Sequence, residues 1–292
     1  MKSPIPPLLR FLVALAGAMT MSLPVAAAPA MWEVRDADSA LILFGSFHIL
    51  PDGTEWRTPL FDEKLAGADI VVFETDVSPL AMARIGAEAF VRGIYTDGTR
   101  LTDRLAPEME AQLREELARI GMPIGPVLAM RPWMAANAVG TAALEAIGFS
   151  AMGVEFALEG EIAAGRRRFL ESGEDQLDVL SGAPEDEQIA MLVNTLAEID
   201  HLPKLMSKML RSWVNGTPER LTLLFQLEMG GFEDAFMERL IYARNRNWIP
   251  ALEDMLERNE QAMVIVGAGH LVGEQNVIML LEAAGYSVER IQ

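Results

Sequence analysis

The chain runs to 292 residues, 51% of them hydrophobic, which is enough apolar material for one large core or two modest ones and excludes a disordered tail. A formal net charge of −18 argues against nucleic acid and anionic membrane as partners, because the densest basic run, Arg166-Arg167-Arg168, is short and lies beside Glu171 and Glu174. Cysteine is absent, so disulfides, thiol chemistry and thiolate-bound metals are excluded, and any metal must take imidazole and oxygen ligands.

The first residues have the order of a secretory signal peptide. Lys2 and Arg10 precede an apolar stretch from Phe11 to Leu23 and the small residues Ala26-Ala27-Ala28-Pro29-Ala30. Residues 1–28 are therefore expected to be removed, with cleavage between Ala27 and Met31. The apolar stretch is short of the roughly 20 residues a bilayer span needs, so no stable membrane span is expected in the mature chain. A periplasmic or secreted protein follows, with residues 29–292 as one domain.

Trp32 to Phe44 reads as a hairpin turning at Asp36-Ala37-Asp38-Ser39. Pro59 to Ala66 predicts a short helix ending at Gly67, and Asp69 to Phe73 a buried strand ending at Glu74. Helices are expected over Pro107–Ile120, Pro132–Ile147, Glu155–Ala164 (capped by Gly165), Pro184–Met209 (broken near Pro203), Thr217–Met229 and Asp234–Arg258, with Pro250 as a start or kink. The C-terminus repeats the early grammar: strand Met263–Val266, a helix from about Glu274 to Ala284, then a strand from Ser287 to Ile291. Helices that link such strands suit parallel crossovers. The expected fold is α/β: a mixed, largely parallel sheet from two related halves, with a helical insertion covering one end.

Two of the three histidines occupy matching turns, Gly45-Ser46-Phe47-His48 after Leu41–Phe44 and Gly267-Ala268-Gly269-His270 after Met263–Val266. Each places an imidazole just past a strand end, where open α/β sheets bind ligands. Glu74 leaves its strand at a similar place, and a carboxylate there needs a cation, a donor network or a proton. His48, Glu74 and His270 make a common ligand set for a divalent metal such as Mn, Co or Zn. An ion pair between Glu74 and a nearby Arg is the alternative. Glu171, Glu174 and Gln176 follow the run Arg168–Leu170 and are candidates for the same rim, as a general base or as an acceptor that fixes a histidine tautomer. Arg244, beside Asn245 and before Trp248, is a candidate oxyanion donor or a helix salt bridge. His201 is expected on a helix surface. No Gly-x-Ser-x-Gly elbow, phosphate-binding glycine loop or His-Glu-x-x-His occurs, which argues against serine hydrolases, nucleotide enzymes and common zinc peptidases.

These pieces together resemble the TraB/GumN family, whose animal relatives include the Tiki proteins. The resemblance rests on Leu43-Phe44-Gly45-Ser46-Phe47-His48, Val72-Phe73-Glu74-Thr75-Asp76, Phe169-Leu170-Glu171-Ser172 with Gln176-Leu177, Arg244-Asn245 before Trp248, and Val266 to Gly273, in family order over essentially the whole mature chain. Phe47 stands where a β-branched residue is expected, and Gly153-Val154-Glu155 has Glu where the family more often has Asp, so no role is carried over to Glu155. The resemblance implies an erythromycin-esterase/ChaN-like fold and a metal-dependent hydrolase acting on peptide or protein substrates. It carries over to His48, Glu74 and His270 as site residues, with Arg244 and Asn245 as supporting candidates; in a metal-dependent hydrolase Glu171 or a neighbouring acid would move the proton, and Arg244 with Asn245 would support the oxyanion. Two alternatives stand beside it: a metal-independent, histidine-based esterase-like hydrolase, and a non-catalytic protein that binds haem or metal or assists polysaccharide export.

Overall fold

Strands form where short apolar runs end in glycine or polar turn residues. The computed structural model describes residues 27–150, 152–229 and 234–292, so most of the expected signal segment lies outside the described residues. β1 (Met31–Arg35) and β2 (Ala40–Ser46) make the expected hairpin, its turn closed by Asp36 Oδ1, which accepts from the Asp38 and Ser39 backbone N–H groups at 3.0 and 2.7 Å. β3 (Leu50–Pro51) pairs with β5 (Phe149–Ser150) in a small separate ladder that the sequence did not suggest. β4 (Ile70–Phe73), β6 (Arg167–Phe169), β7 (Ala262–Gly267) and β8 (Ser287–Arg290) complete a six-stranded sheet of order β6-β4-β7-β2-β1-β8. From β6 to β2 every pairing is parallel, whereas β1 runs antiparallel to both β2 and β8. The fold is thus α/β with a mixed, largely parallel sheet.

The helices are α1 (Pro59–Gly67), α2 (Pro79–Gly93), α3 (Pro107–Arg119), α4 (Ile124–Val127), α5 (Pro132–Glu145), α6 (Val154–Glu159), α7 (Gly173–Ser181), α8 (Glu185–Glu198), α9 (Leu202–Val214), α10 (Pro218–Met229), α11 (Asp234–Met237), α12 (Ala243–Glu257) and α13 (Val277–Ala284). Several differ from expectation for local reasons. α6 stops at Glu159 with Gly160 as its cap, well short of Ala164, because glycine is a poor helix former. The long Pro184–Met209 helix is two, and Pro203 lies in the first turn of α9, where its missing N–H costs nothing. α13 starts at Val277 because the Asn276 side chain caps it, accepting from the Met279 N–H at 2.9 Å. Asp234–Arg258 divides into α11, a π-helical turn at Glu238–Tyr242 and α12, with Pro250 inside the last. Neither α2 nor α7 was expected.

Both faces of the central strands are covered, which is why β2, β4 and β7 are almost continuously apolar, whereas the edge strands β6 and β8 carry charged, exposed residues. β2 sends Ile42 and Phe44 to one face, where Phe61 of α1, Met209 and Trp213 of α9 and Leu221 of α10 pack. Leu41 and Leu43 point to the other, against Trp248 and Leu252 of α12 and Val277 and Leu281 of α13. A third cluster, with Leu113, Val139 and Leu192, gives α3, α5 and α8 of the helical insertion their own core. No helix among the described residues is long and apolar enough to cross a membrane.

Candidate functional site

Four neighbouring parallel strands deliver side chains to one edge of the sheet. Glu171 follows β6, Glu74 follows β4, His270 sits in the 3-10 turn Ala268–His270 after β7, and His48 follows β2. Residues spread over more than two hundred positions of sequence therefore meet. Glu74 Oε1 lies 3.8 Å from His48 Nε2 and 3.7 Å from His270 Nε2.

Glu74 is buried but well satisfied. Its Oε1 accepts from the Gly267 N–H at 2.6 Å, and its Oε2 accepts from Arg244 Nη2 at 2.6 Å and Gln176 Nε2 at 3.1 Å. Burial pushes its pKa up, but the charges of His48 and Arg244 and the Gly267 N–H outweigh this and hold it below the ordinary carboxylate range. Glu74 is a carboxylate at neutral pH. Arg244 is the cation that the Glu74 alternative required. It also donates to Glu171 Oε1 at 2.6 Å from Nη2, to the Leu240 carbonyl at 2.9 Å, and stacks over Trp248 at 5.0 Å. Burial alone would lower the Arg244 pKa; hydrogen bonds and charges from Glu171 and Glu74 raise it.

The two imidazoles are in opposite states. His270 is buried, and its Nδ1 bonds Asn245 Oδ1 at 2.6 Å while Asn245 Nδ2 donates to the Gln275 carbonyl at 2.8 Å. The amide orientation thus assigns the proton to Nδ1, and Nε2 accepts from Arg244 Nη1 at 3.0 Å. Burial lowers its pKa to about 3, so it is neutral. The His48 side chain is 56% exposed, with Nδ1 3.1 Å from Glu155 Oε1. The charge of Glu155 raises the His48 pKa to about 9 despite an opposing burial effect, and exposure to water screens part of that attraction. Ser46 Oγ–H donates to the same Glu155 oxygen.

Glycines give His48 its room. A Cβ on Gly267 would stand 2.6 Å from His48 Nε2, and one on Gly153 would stand 2.2 Å from the His48 carbonyl.

Every candidate residue except Glu174, which pairs with Arg84, joins this network. Arg244 and Asn245, expected in support of an oxyanion, are held in this network: Arg244 braces Glu74, Glu171 and His270, and Asn245 sets the His270 tautomer. Glu171 accepts from Arg244 and, at 3.2 Å, from Trp248 Nε1. Sequence reasoning missed Glu155 and Ser46 as partners of His48; the one available signal was the position of Glu155 where the family tends to carry Asp.

The fit to a metal is mixed. Both rings turn Nε2 toward Glu74 and hold Nδ1 against an oxygen acceptor, the outer arrangement common in metal-ligating histidines. The lone pair of His270 Nε2, however, is committed to Arg244. Among the described residues no group of three or more His, Cys, Asp or Glu is placed to hold a metal ion. As arranged, the three expected ligands converge without closing around an ion.

The TraB/PrgY/gumN family matches residues 30–290. A protein of the sponge Amphimedon queenslandica titled metalloprotease TIKI homolog is 35% identical over 66 residues, which is 22% of this chain and 13% of that protein. The uncharacterized protein YbaP of Escherichia coli K12 is 25% identical over 248 residues, covering 82% of this chain and 86% of the relative, and YbaP of Shigella flexneri matches equally. The chain thus spans only a small part of the sponge protein's length. No solved structure matches with significance.

Proposed function

The chain belongs to the TraB/PrgY/gumN family, and on that premise we propose that it is an exported hydrolase cleaving a peptide bond, with His48 moving the proton. The observation that carries this is the pairing of one solvent-facing imidazole, backed by Glu155, with the buried anion of Glu74 at 3.8 Å. Glu155 holds the Nδ1–H, so the neutral ring keeps its lone pair on Nε2. His48 Nε2 and Glu74 Oε1 are too far apart for a direct hydrogen bond and near enough to hold the same water. His48 takes a proton from that water as its oxygen attacks the carbonyl carbon. The imidazolium, stabilised by Glu155 and Glu74, then gives the proton to the departing amine. Arg244, Gln176 and the Gly267 N–H keep Glu74 charged and in place, and Asn245 fixes His270. Because His48 must lose its proton first, kcat/KM rises with pH between about 6.5 and 9.

A second reading is favoured by the convergence of two Nε2 atoms on one Glu74 oxygen. His48, Glu74 and His270 would hold a divalent ion, Mn, Co or Zn, if Arg244 released His270. The ion would supply Lewis acidity and a water of pKa near about 7.

The test is turnover of a peptide and ester panel by the mature protein, with and without exhaustive chelation, beside elemental analysis of wild type and an H48A/H270A variant. His48→Ala is expected to lower kcat by about 10²- to 10⁴-fold. Activity that survives chelation supports the first reading, and stoichiometric metal lost with activity supports the second. No hydrolysis with or without divalent ions would sink both in favour of a non-catalytic protein.

A further inference from the structure

The helical insertion lines a solvent-open cavity of about 730 Å³, within the roughly 300–1,000 Å³ typical of small-molecule sites. Leu144 of α5, Met191 of α8, Leu205 of α9 and Leu224 of α10 give it apolar walls. Ile49, the residue after His48, also lines it, while His48 itself does not.

Its charge departs from that of the molecule. The chain carries only four lysines and a formal net charge of −18, yet Lys204 and Lys208, one turn apart on α9, both line this cavity. Lys64, the other lysine among the described residues, lies 3.9 Å from Glu33, whereas neither Lys204 nor Lys208 makes a salt bridge there. Glu198 is the one acid among the cavity's lining residues, which also include His201. An apolar chamber with two uncommitted ammoniums is complementary to an aliphatic chain bearing a carboxylate.

We infer that this cavity binds an anionic amphiphile, its aliphatic arm among the leucines and its carboxylate on Lys204 and Lys208. For its reaction the idea rests on the hydrolase reading, the amphiphile being part of the substrate that presents its scissile bond to His48; for its binding it does not.

The test is calorimetric titration of decanoate and decan-1-ol, each below its aggregation concentration, into wild type, K204Q/K208Q and H48A. Wild type is expected to bind decanoate about tenfold more tightly than decan-1-ol, the size two partly exposed ion pairs give. K204Q/K208Q is expected to bind the two alike with an unchanged melting temperature. H48A, which tests hydrolysis, keeps the wild-type preference, so failure of the catalytic reading leaves this result intact. Equal affinity for both probes in wild type, binding of neither, or a preference that survives in K204Q/K208Q overturns the inference.

Discussion

Glu155 accepts from Ser46 and His48 through one oxygen, and that oxygen controls the charge of the one imidazole in the site that solvent reaches. The pKa of His48, raised to about 9 chiefly by Glu155, is expected to fall toward about 6.5 in Glu155→Gln, followed by the NMR titration of the His48 ring. The rising limb of kcat/KM moves to lower pH with it. The sign for stability follows from linkage: a raised folded-state pKa contributes below the unfolded value of about 6.5, and that contribution is lost as pH rises through about 9. Urea midpoints of wild type and Glu155→Gln therefore differ most below pH 6.5, apart from any pH-independent cost of the change, and approach each other above 9. Unchanged His48 titration in the variant would remove Glu155 from this role. A pairing across 107 residues was invisible in the sequence, where Glu155 is one of 42 acids and only the family position distinguished it.

Apolar strand cores were the most legible elements, because a short apolar run closed by a turn residue has few other readings: β4 ends at Phe73 as the sequence predicts, while β2 and β7 contain the expected runs and continue to Ser46 and Gly267. α2 was not legible, since Leu80, Phe90 and Val91 remain exposed and blur the division of its faces. α7 carried its own signal, a capping box in which Ser172 and Asp175 bond each other's backbone, but Glu174 and Gln176 register in the sequence only as candidates for the rim of the site. What strand ends need at short range is space. Gly267→Ala puts a methyl against His48 Nε2, the far end of a side chain that can swing away, so about tenfold or more of turnover is lost with little change in melting temperature. In Gly153→Ala the obstacle is the Phe47–His48 backbone, at 2.4 and 2.2 Å, which cannot swing, and about 1–3 kcal/mol of stability is expected to go as well. Thermal melts beside turnover check the contrast; equal stability loss in both variants would mean the two contacts relax in the same way.

Arg244 joins parts of the molecule that the chain keeps far apart: α12, the ends of β4 and β6, and the turn after β7. The sequence offered a metal or an arginine for Glu74 and had no means to choose, since a partner 170 residues away is set only by which strands become neighbours. The consequence is global. The Glu74 and Glu171 side chains are only 6% and 9% exposed, so Arg244→Met leaves two carboxylates in poor solvent, at a cost of about 3–5 kcal/mol near pH 7. Glu74 has a depressed folded-state pKa, so its contribution is present above the unfolded value of about 4.3 and lost as pH falls through that depressed value. Without Arg244 part of that depression disappears, and Glu74 takes up its proton at higher pH. The deficit of the variant is therefore largest above pH 4.5 and shrinks toward pH 3, as urea unfolding at both ends of that range would measure. A deficit that does not change with pH would instead trace the loss to the stacking of the guanidinium on Trp248, and the anionic state of Glu74 on which the proton path depends would no longer rest on Arg244.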